Sequence, residues 1–220
     1  MRKIVCCSSN MKILFLFIMF KTLFAIIPTK YLFNHHKHIF ITPSSMQTQN
    51  WRQQQQWYIN GKHNECELYQ KRIIEQITNL PLEKTNKRIH TRTNKIYDMK
   101  QPMKGVDGFD YTENFDGYLF NNYNEYYFNL KVICNNGGAQ TRTLRNVYHF
   151  ISYQLEHLLK SHEYNPTPTY FINILDGDLS NKHMEKFYFL LDKPEYNSVQ
   201  ENVFIGDMKQ FQDFWYVQHE

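Results

Sequence analysis

The chain has 220 residues, 42% of them hydrophobic and 21% charged, a length that supports one sizeable core with extensions and leaves no room for two large ones. Its 25 basic and 21 acidic residues give a formal charge of +4 and a pI near 8.7. This is milder than a dedicated nucleic-acid coat requires, so charge permits DNA binding without demanding it. Four cysteines, Cys6, Cys7, Cys66 and Cys134, lie in no paired metal spacing. Adjacent Cys6 and Cys7 cannot staple a secreted fold, which favours an intracellular, reducing compartment. The 16 Tyr and 17 Phe residues fit an AT-rich coding sequence, so aromatic and Asn-based motifs carry little weight by themselves.

Arg2 and Lys3 precede an apolar stretch over residues 13–27, broken by Lys21 and Thr22. It resembles a signal-peptide core more than a full span of roughly 20 apolar residues, and Pro28, Thr29, Lys30 and Tyr31 follow where a small-x-small cleavage site would stand. Residues 1–30 therefore read as a hydrophobic leader or targeting segment, which leaves membrane or organelle association open. Residues 31–62 read as a linker or weakly ordered arm. His35, His36 and His38 have no second ligand cluster and are expected in a solvated loop, and Gln53 to Gln56 carry no folding signal.

Residues 63–216 form the expected α/β domain. A helix begins near Asn64, with Leu68, Ile73, Ile74 and Ile77 at helical spacing and Pro81 ending the pattern. Residues 83–104 carry Lys84, Lys87, Arg88, Arg92, Lys95 and Lys100 with few apolar partners, a solvated basic loop or a phosphate-contacting segment. Strand-like runs over 117–120 and 125–133, joined by the Asn-rich turn 121–124, predict a β-hairpin. Leu144, Val147, Tyr148, Ile151, Leu155 and Leu158 then recur as the stripe of a core-facing helix. Residues 169–175 read as a buried strand, with Asp176 and Asp178 forming a turn that caps a helix over 181–191. A short strand at 202–206 and a terminal helix over 208–216 complete a mixed central sheet flanked by helices.

Chemistry concentrates at the hairpin. Asp107, Asp110, Glu113 and Asp116 crowd its entrance, and alternation along the second strand puts Tyr127, Asn129 and Lys131 on one face. If Asp116 lies beside them, a carboxylate, an amide and an ammonium share one cluster. Mg²⁺ prefers oxygen ligands and keeps several waters, while a neighbouring Lys can orient an attacking water and offset phosphate charge.

The runs Thr112-Glu113-Asn114-Phe115-Asp116-Gly117, Tyr127-Phe128-Asn129-Leu130-Lys131 and Gly137-Gly138-Ala139-Gln140-Thr141-Arg142-Thr143-Leu144-Arg145 resemble type II restriction endonucleases of the PD-(D/E)XK nuclease superfamily. The likeness covers residues 112–206. It implies a restriction-endonuclease-like core, Mg²⁺ as cofactor and double-stranded DNA as substrate, with a homodimer suited to cutting both strands. By position, Asp116 matches the family's first metal-binding Asp and Lys131 its catalytic Lys, while Asn129 stands where the family has an acid. An amide brings an oxygen but no charge, so the second metal carboxylate must come from elsewhere, Glu113 first and Glu156 second. Gln140 would position water or contact phosphate, or serve as a plain loop amide. Arg142 and Arg145, expected in or just before the first helical turn, need an anionic partner there, either DNA phosphate or the acidic entrance. His149 and His157 are expected to be structural.

Two other readings stand beside the endonuclease: a catalytically inactive relative that binds DNA or serves structurally, favoured by Asn129, and a membrane-associated protein, favoured by the leader. The chain has no phosphate-binding Gly-rich loop, nucleophile elbow or HExxH helix, which removes the common nucleotide, acyl-transfer and zinc-protease alternatives.

Overall fold

The structure, a computed structural model, describes residues 65–99, 108–133, 137–161 and 167–219. The leader and the arm lie outside the described residues. Among the described residues no helix is long and apolar enough to cross a membrane.

Helix α1 (Glu65–Thr78) buries Ile74 completely. It stops at Asn79, which takes the left-handed conformation (φ 55°) that commonly ends helices, two residues before Pro81. Strands β1 (Lys87–Ile89) and β2 (Ile96–Asp98) pair antiparallel within the stretch expected to be a basic loop. Ile89 is fully buried and anchors this small hairpin, while Glu125 and Asp110 receive Lys87 and Arg92 at 3.7 and 3.2 Å. Three-residue strands are too short to show a periodicity, which is why sequence reading missed them.

Strands β3 (Gly117–Asn121) and β4 (Asn124–Val132) form the expected hairpin. Asn122 and Tyr123 both have positive φ, 49° and 63°, as a two-residue turn of the twist-matched kind requires. Helix α2 (Gly138–Ser161) then returns the chain to β5 (Thr169–Asp176), which pairs parallel to β4, and β6 (Val203–Gly206) pairs parallel to β5. The result is a four-stranded mixed sheet in the order β3-β4-β5-β6.

Strand alternation gives this sheet two cores. Tyr127, Phe171, Leu175, Val203 and Ile205 face α2 with its Val147, Ile151 and Leu155. Phe128, Leu130, Ile172, Ile174 and Phe204 face α1 and the terminal helix α5 (Met208–His219), which contributes Phe211, Phe214 and Trp215. Each fully buried Phe or Ile contributes roughly 1.5–3 kcal/mol, so these side chains hold helices on both faces of the sheet, with the polar Asn129, Asn173 and Gln154 also buried between the sheet and α2. The helix expected over 181–191 starts earlier and is broken: α3 (Asp178–Lys182) and α4 (Met184–Leu191) meet at His183, whose φ of −104° and ψ of 7° leave the helical region.

At the C-terminal edge of the sheet, Gly177 has φ 103°, and a Cβ there would lie 2.3 Å from the Ile133 carbonyl oxygen. The ends of β4 and β5 can close together only because this residue is glycine. Asp176 caps a different helix from the one expected. Its carboxylate accepts the Met208 amide at the start of α5 and the Gln70 amide of α1, at 3.0 and 2.7 Å. Helix α2 also buries Phe150 and the polar Gln154, neither of which belongs to the expected stripe.

Asp207 and Gln210 form a reciprocal capping box at the head of α5, with bonds of 2.8 and 2.9 Å. Burial first, and then repulsion from Asp176, push the Asp207 carboxyl up to about 6. A raised folded value means that its stability contribution is full below the ordinary 3.8 and is lost as pH rises through about 6. Asn is as good a cap as Asp. Asp207→Asn is therefore expected to raise stability at neutral pH, by up to about 3 kcal/mol, and to flatten its decline between acid and neutral pH. Thermal melts across that range would check this.

Candidate functional site

The loop before β3 is pinned by Phe115, which is buried and stacks on Phe171 with ring centroids 5.5 Å apart. That anchor fixes the next residue, Asp116, at the mouth of the hairpin. Its backbone N–H donates to the Phe128 carbonyl at 2.8 Å, and its Oδ2 accepts the Leu130 N–H at 2.7 Å. Because β3 begins at Gly117 opposite Phe128, residues 129–132 of β4 run past its end. Lys131 lies in this overhang. Its Nζ stands 3.3 Å from Asp116 Oδ2 and 3.5 Å from Glu113 Oε2. Its carbonyl accepts Gln70 Nε2 at 3.3 Å, the same amide nitrogen that donates to Asp176, so α1 braces the strand end behind the site.

The side chains of Lys131 and Asp116 are only 18% and 16% exposed, whereas Glu113 is 45% exposed, which places one carboxylate deep and one at the surface around a single ammonium. Burial raises the Asp116 carboxyl above its ordinary 3.8. Lys131 and the Leu130 N–H oppose that rise, and the charges of Glu67 and Glu113 add to it. Asp116 is thus a carboxylate with reason to seek more positive charge than one lysine gives.

Of the residues singled out from sequence, Asp116, Lys131 and Glu113 come together. Asn129 does not join them. It is fully buried, and its amide donates to Asn173 Oδ1 on β5 at 3.1 Å, within a polar network that includes Gln154 of α2. Glu156 lies in the C-terminal half of α2 and accepts the Tyr196 hydroxyl at 2.9 Å. Gln140 belongs to the first turn of α2, not to a loop, and its Oε1 is buried with no hydrogen-bond partner among the described residues. Arg142 and Arg145 fall in the second and third turns of α2, later than expected, because the helix already starts at Gly138. Both are exposed, and neither has an ion-pair partner among the described residues, Asp110 being taken by Arg92. His157 is structural as expected. Its Nδ1 lies 2.7 Å from the Asn94 carbonyl, and burial holds it below the usual histidine range. Asp107 lies outside the described residues.

Sequence reading missed Gln70, which carries a signal only in retrospect. It occupies the i position of an i, i+4, i+7 stripe with Ile74 and Ile77, where a polar residue on an apolar face announces a buried hydrogen bond.

Two carboxylates flanking an ammonium at an open strand end suit a hard divalent cation. Mg²⁺ is commonly held by one or two carboxylates, several waters and the substrate's own phosphate oxygens, without an all-protein cage. Among the described residues no group of three or more His, Cys, Asp or Glu converges on a point, so such a site rests on Asp116 and Glu113. No family model matches the chain, and no curated protein or solved structure matches it.

Proposed function

We propose that the chain is a Mg²⁺-dependent endonuclease that hydrolyses phosphodiester bonds of double-stranded DNA, with a restriction-endonuclease-like core of the PD-(D/E)XK kind. The observation that carries this reading is the Lys131 ammonium held between the Asp116 and Glu113 carboxylates where β4 overhangs β3. The element order supports the finer fold: helix, hairpin with an acid at its mouth and a lysine on its second strand, helix, parallel strand.

In this reading Asp116 and Glu113 would hold the metal. When bound, the metal neutralises charge on the attacked phosphate and lowers the pKa of a coordinated water. The chain's own residues supply the rest. The Leu130 N–H fixes one Asp116 oxygen, the rigid β4 backbone aims Lys131 at the attacked phosphate, and the Lys131 ammonium orients the attacking water. Arg142 and Arg145 supply exposed cations for flanking phosphates, and Gln140 an amide for the same backbone. Two copies in a homodimer would deliver one cut to each strand.

The test is incubation of the purified full-length protein with plasmid and phage DNA in Mg²⁺, beside an EDTA lane and Glu113→Gln. Cleavage in Mg²⁺ alone, weakened by Glu113→Gln and partly restored at higher Mg²⁺, is the expected result, since the variant loses a metal carboxylate and keeps its shape. A second reading, a relative that binds DNA without cutting it, is favoured by the interior position of Asn129 where the family has an acid. DNA bound and left intact at every Mg²⁺ concentration would select it.

A further inference from the structure

An open groove of about 530 Å³ runs between α2 and α4. Thr141, Leu144, Arg145 and Tyr148 form its α2 wall at i, i+3, i+4 and i+7, so one helix face alternates apolar, cationic and aromatic groups. Its floor is built, with Leu144 and Phe187 buried and Tyr148 packed at 6.1 Å from the Phe187 ring. On the α4 rim, Phe189 is 70% exposed, while the residues that follow it, Leu190 and Leu191, are buried. An exposed aromatic beside a formed groove is surface a stable core does not need.

The charge is one-sided. Arg145 and Lys186 line the groove, and Arg142 and Lys182 lie on the adjoining turns. None of these four has an ion-pair partner among the described residues, and Glu185 is the carboxylate on the lining. His183, at the break between α3 and α4, reports the same field. Its imidazole is held below the usual range by burial and then by Lys186 and Lys182. The α2 wall follows the C-terminal end of β4, and the α4 wall follows that of β5 after the short α3; this is the end of the sheet that also carries Lys131, where ligands of open α/β sheets bind.

Unpaired cations interleaved with aromatic rings are the combination that tracks a phosphate backbone and stacks unpaired bases. An acidic peptide would use the cations and leave the rings idle. A duplex keeps its bases stacked on each other and away from Phe189. We infer that the α2/α4 groove holds a single strand of nucleic acid, with phosphates against Arg145 and Lys186 and a base stacked on Phe189. In taking the polymer to be nucleic acid, this rests on the reading proposed above; it requires no cleavage. The groove extends that reading by giving the enzyme a place for an unpaired or released strand.

The experiment is fluorescence anisotropy of the full-length protein with labelled oligothymidine in EDTA, against a duplex of equal length and oligoglutamate of equal charge. Oligothymidine should bind most tightly. Phe189→Ala should weaken it about tenfold with duplex binding unchanged, and Phe189→Leu, which keeps the apolar bulk, should weaken it nearly as much. Lys186→Ala should flatten the dependence of log affinity on log salt by about 0.7, and Glu185→Gln should strengthen binding. Oligoglutamate binding as tightly as oligothymidine, or Phe189 variants that melt like wild type and bind like it, would overturn the inference. Protein that binds the strand through Phe189 and cuts no DNA keeps the groove and discards the nuclease. Protein that cuts DNA while Phe189→Ala binds normally does the reverse.

Discussion

On the endonuclease reading proposed above, Lys131→Ala is expected to reduce Mg²⁺-dependent DNA cleavage roughly 10²- to 10⁴-fold, and Asp116→Asn by a similar factor, with duplex affinity in EDTA little changed. The reason is geometric. Lys131 Nζ lies within 3.5 Å of both carboxylates, and no other described cation lies as close to Asp116. The lysine variant also makes a stability prediction that a purely catalytic role would not. Asp116 is raised above 3.8 mainly by burial, and Lys131 is the largest influence opposing the rise. Without the ammonium, the Asp116 carboxyl rises further. For a group raised on folding, the favourable contribution is complete below 3.8 and disappears as pH climbs through the folded value. Lys131→Ala should therefore destabilise the protein more at neutral pH than near pH 3.8, as measured by urea unfolding at both. Equal destabilisation at the two pH values would show that the ammonium does not govern Asp116. Unchanged cleavage would remove the site.

Asn173→Leu is expected to be the most damaging single change to the fold. Asn173 accepts from Asn129 and Gln154 at 3.1 Å each and donates to Gln154 Oε1 and the Phe204 carbonyl at 2.8 and 3.2 Å. All three side chains are completely buried at the centre of the sheet and under α2. Leucine fills the volume and strands several polar groups in a dry core, at about 1–3 kcal/mol each, so the total loss should exceed about 3 kcal/mol. That is a large share of a stability that for domains of this size is about 5–15 kcal/mol. Replacing Asn129, Gln154 and Asn173 together by Leu should cost less than the sum of the single changes, because no partner is then left unpaired. Denaturant midpoints for the singles and the triple decide it. If the triple costs as much as the sum, Asn173 acts by shape and not by hydrogen bonding.

The same network explains where sequence reading stopped. Asn129 and Lys131 share a strand face by simple alternation, and that much could be read from period two. Which neighbour each finds on that face depends on the partner strands. Parallel register sets Asn129 opposite Asn173, and the start of β3 only at Gly117, opposite Phe128, leaves Lys131 beyond its end and beside Asp116. A residue two positions away therefore belongs to the interior, although spacing alone would put both in one cluster. Arg142 and Arg145 are a similar case. Their helix and its apolar stripe were legible, but its first turn was not, because Gly137 and Gly138 read as a break where the structure begins the helix at Gly138.

What the sequence determined by itself was the α/β order, the hairpin and its turn, the apolar faces of α1 and α2 and the acid and lysine that carry the proposed chemistry. These follow from local properties: side-chain period, turn residues and charge. Only the tertiary structure decided that Glu113 and not Glu156 meets Lys131, that Asp176 caps α5, that Gln70 braces the strand end, and that β1 and β2 exist. Each of these depends on contacts between residues far apart in the chain, whose geometry is set by strand register and helix packing. No local pattern encodes them.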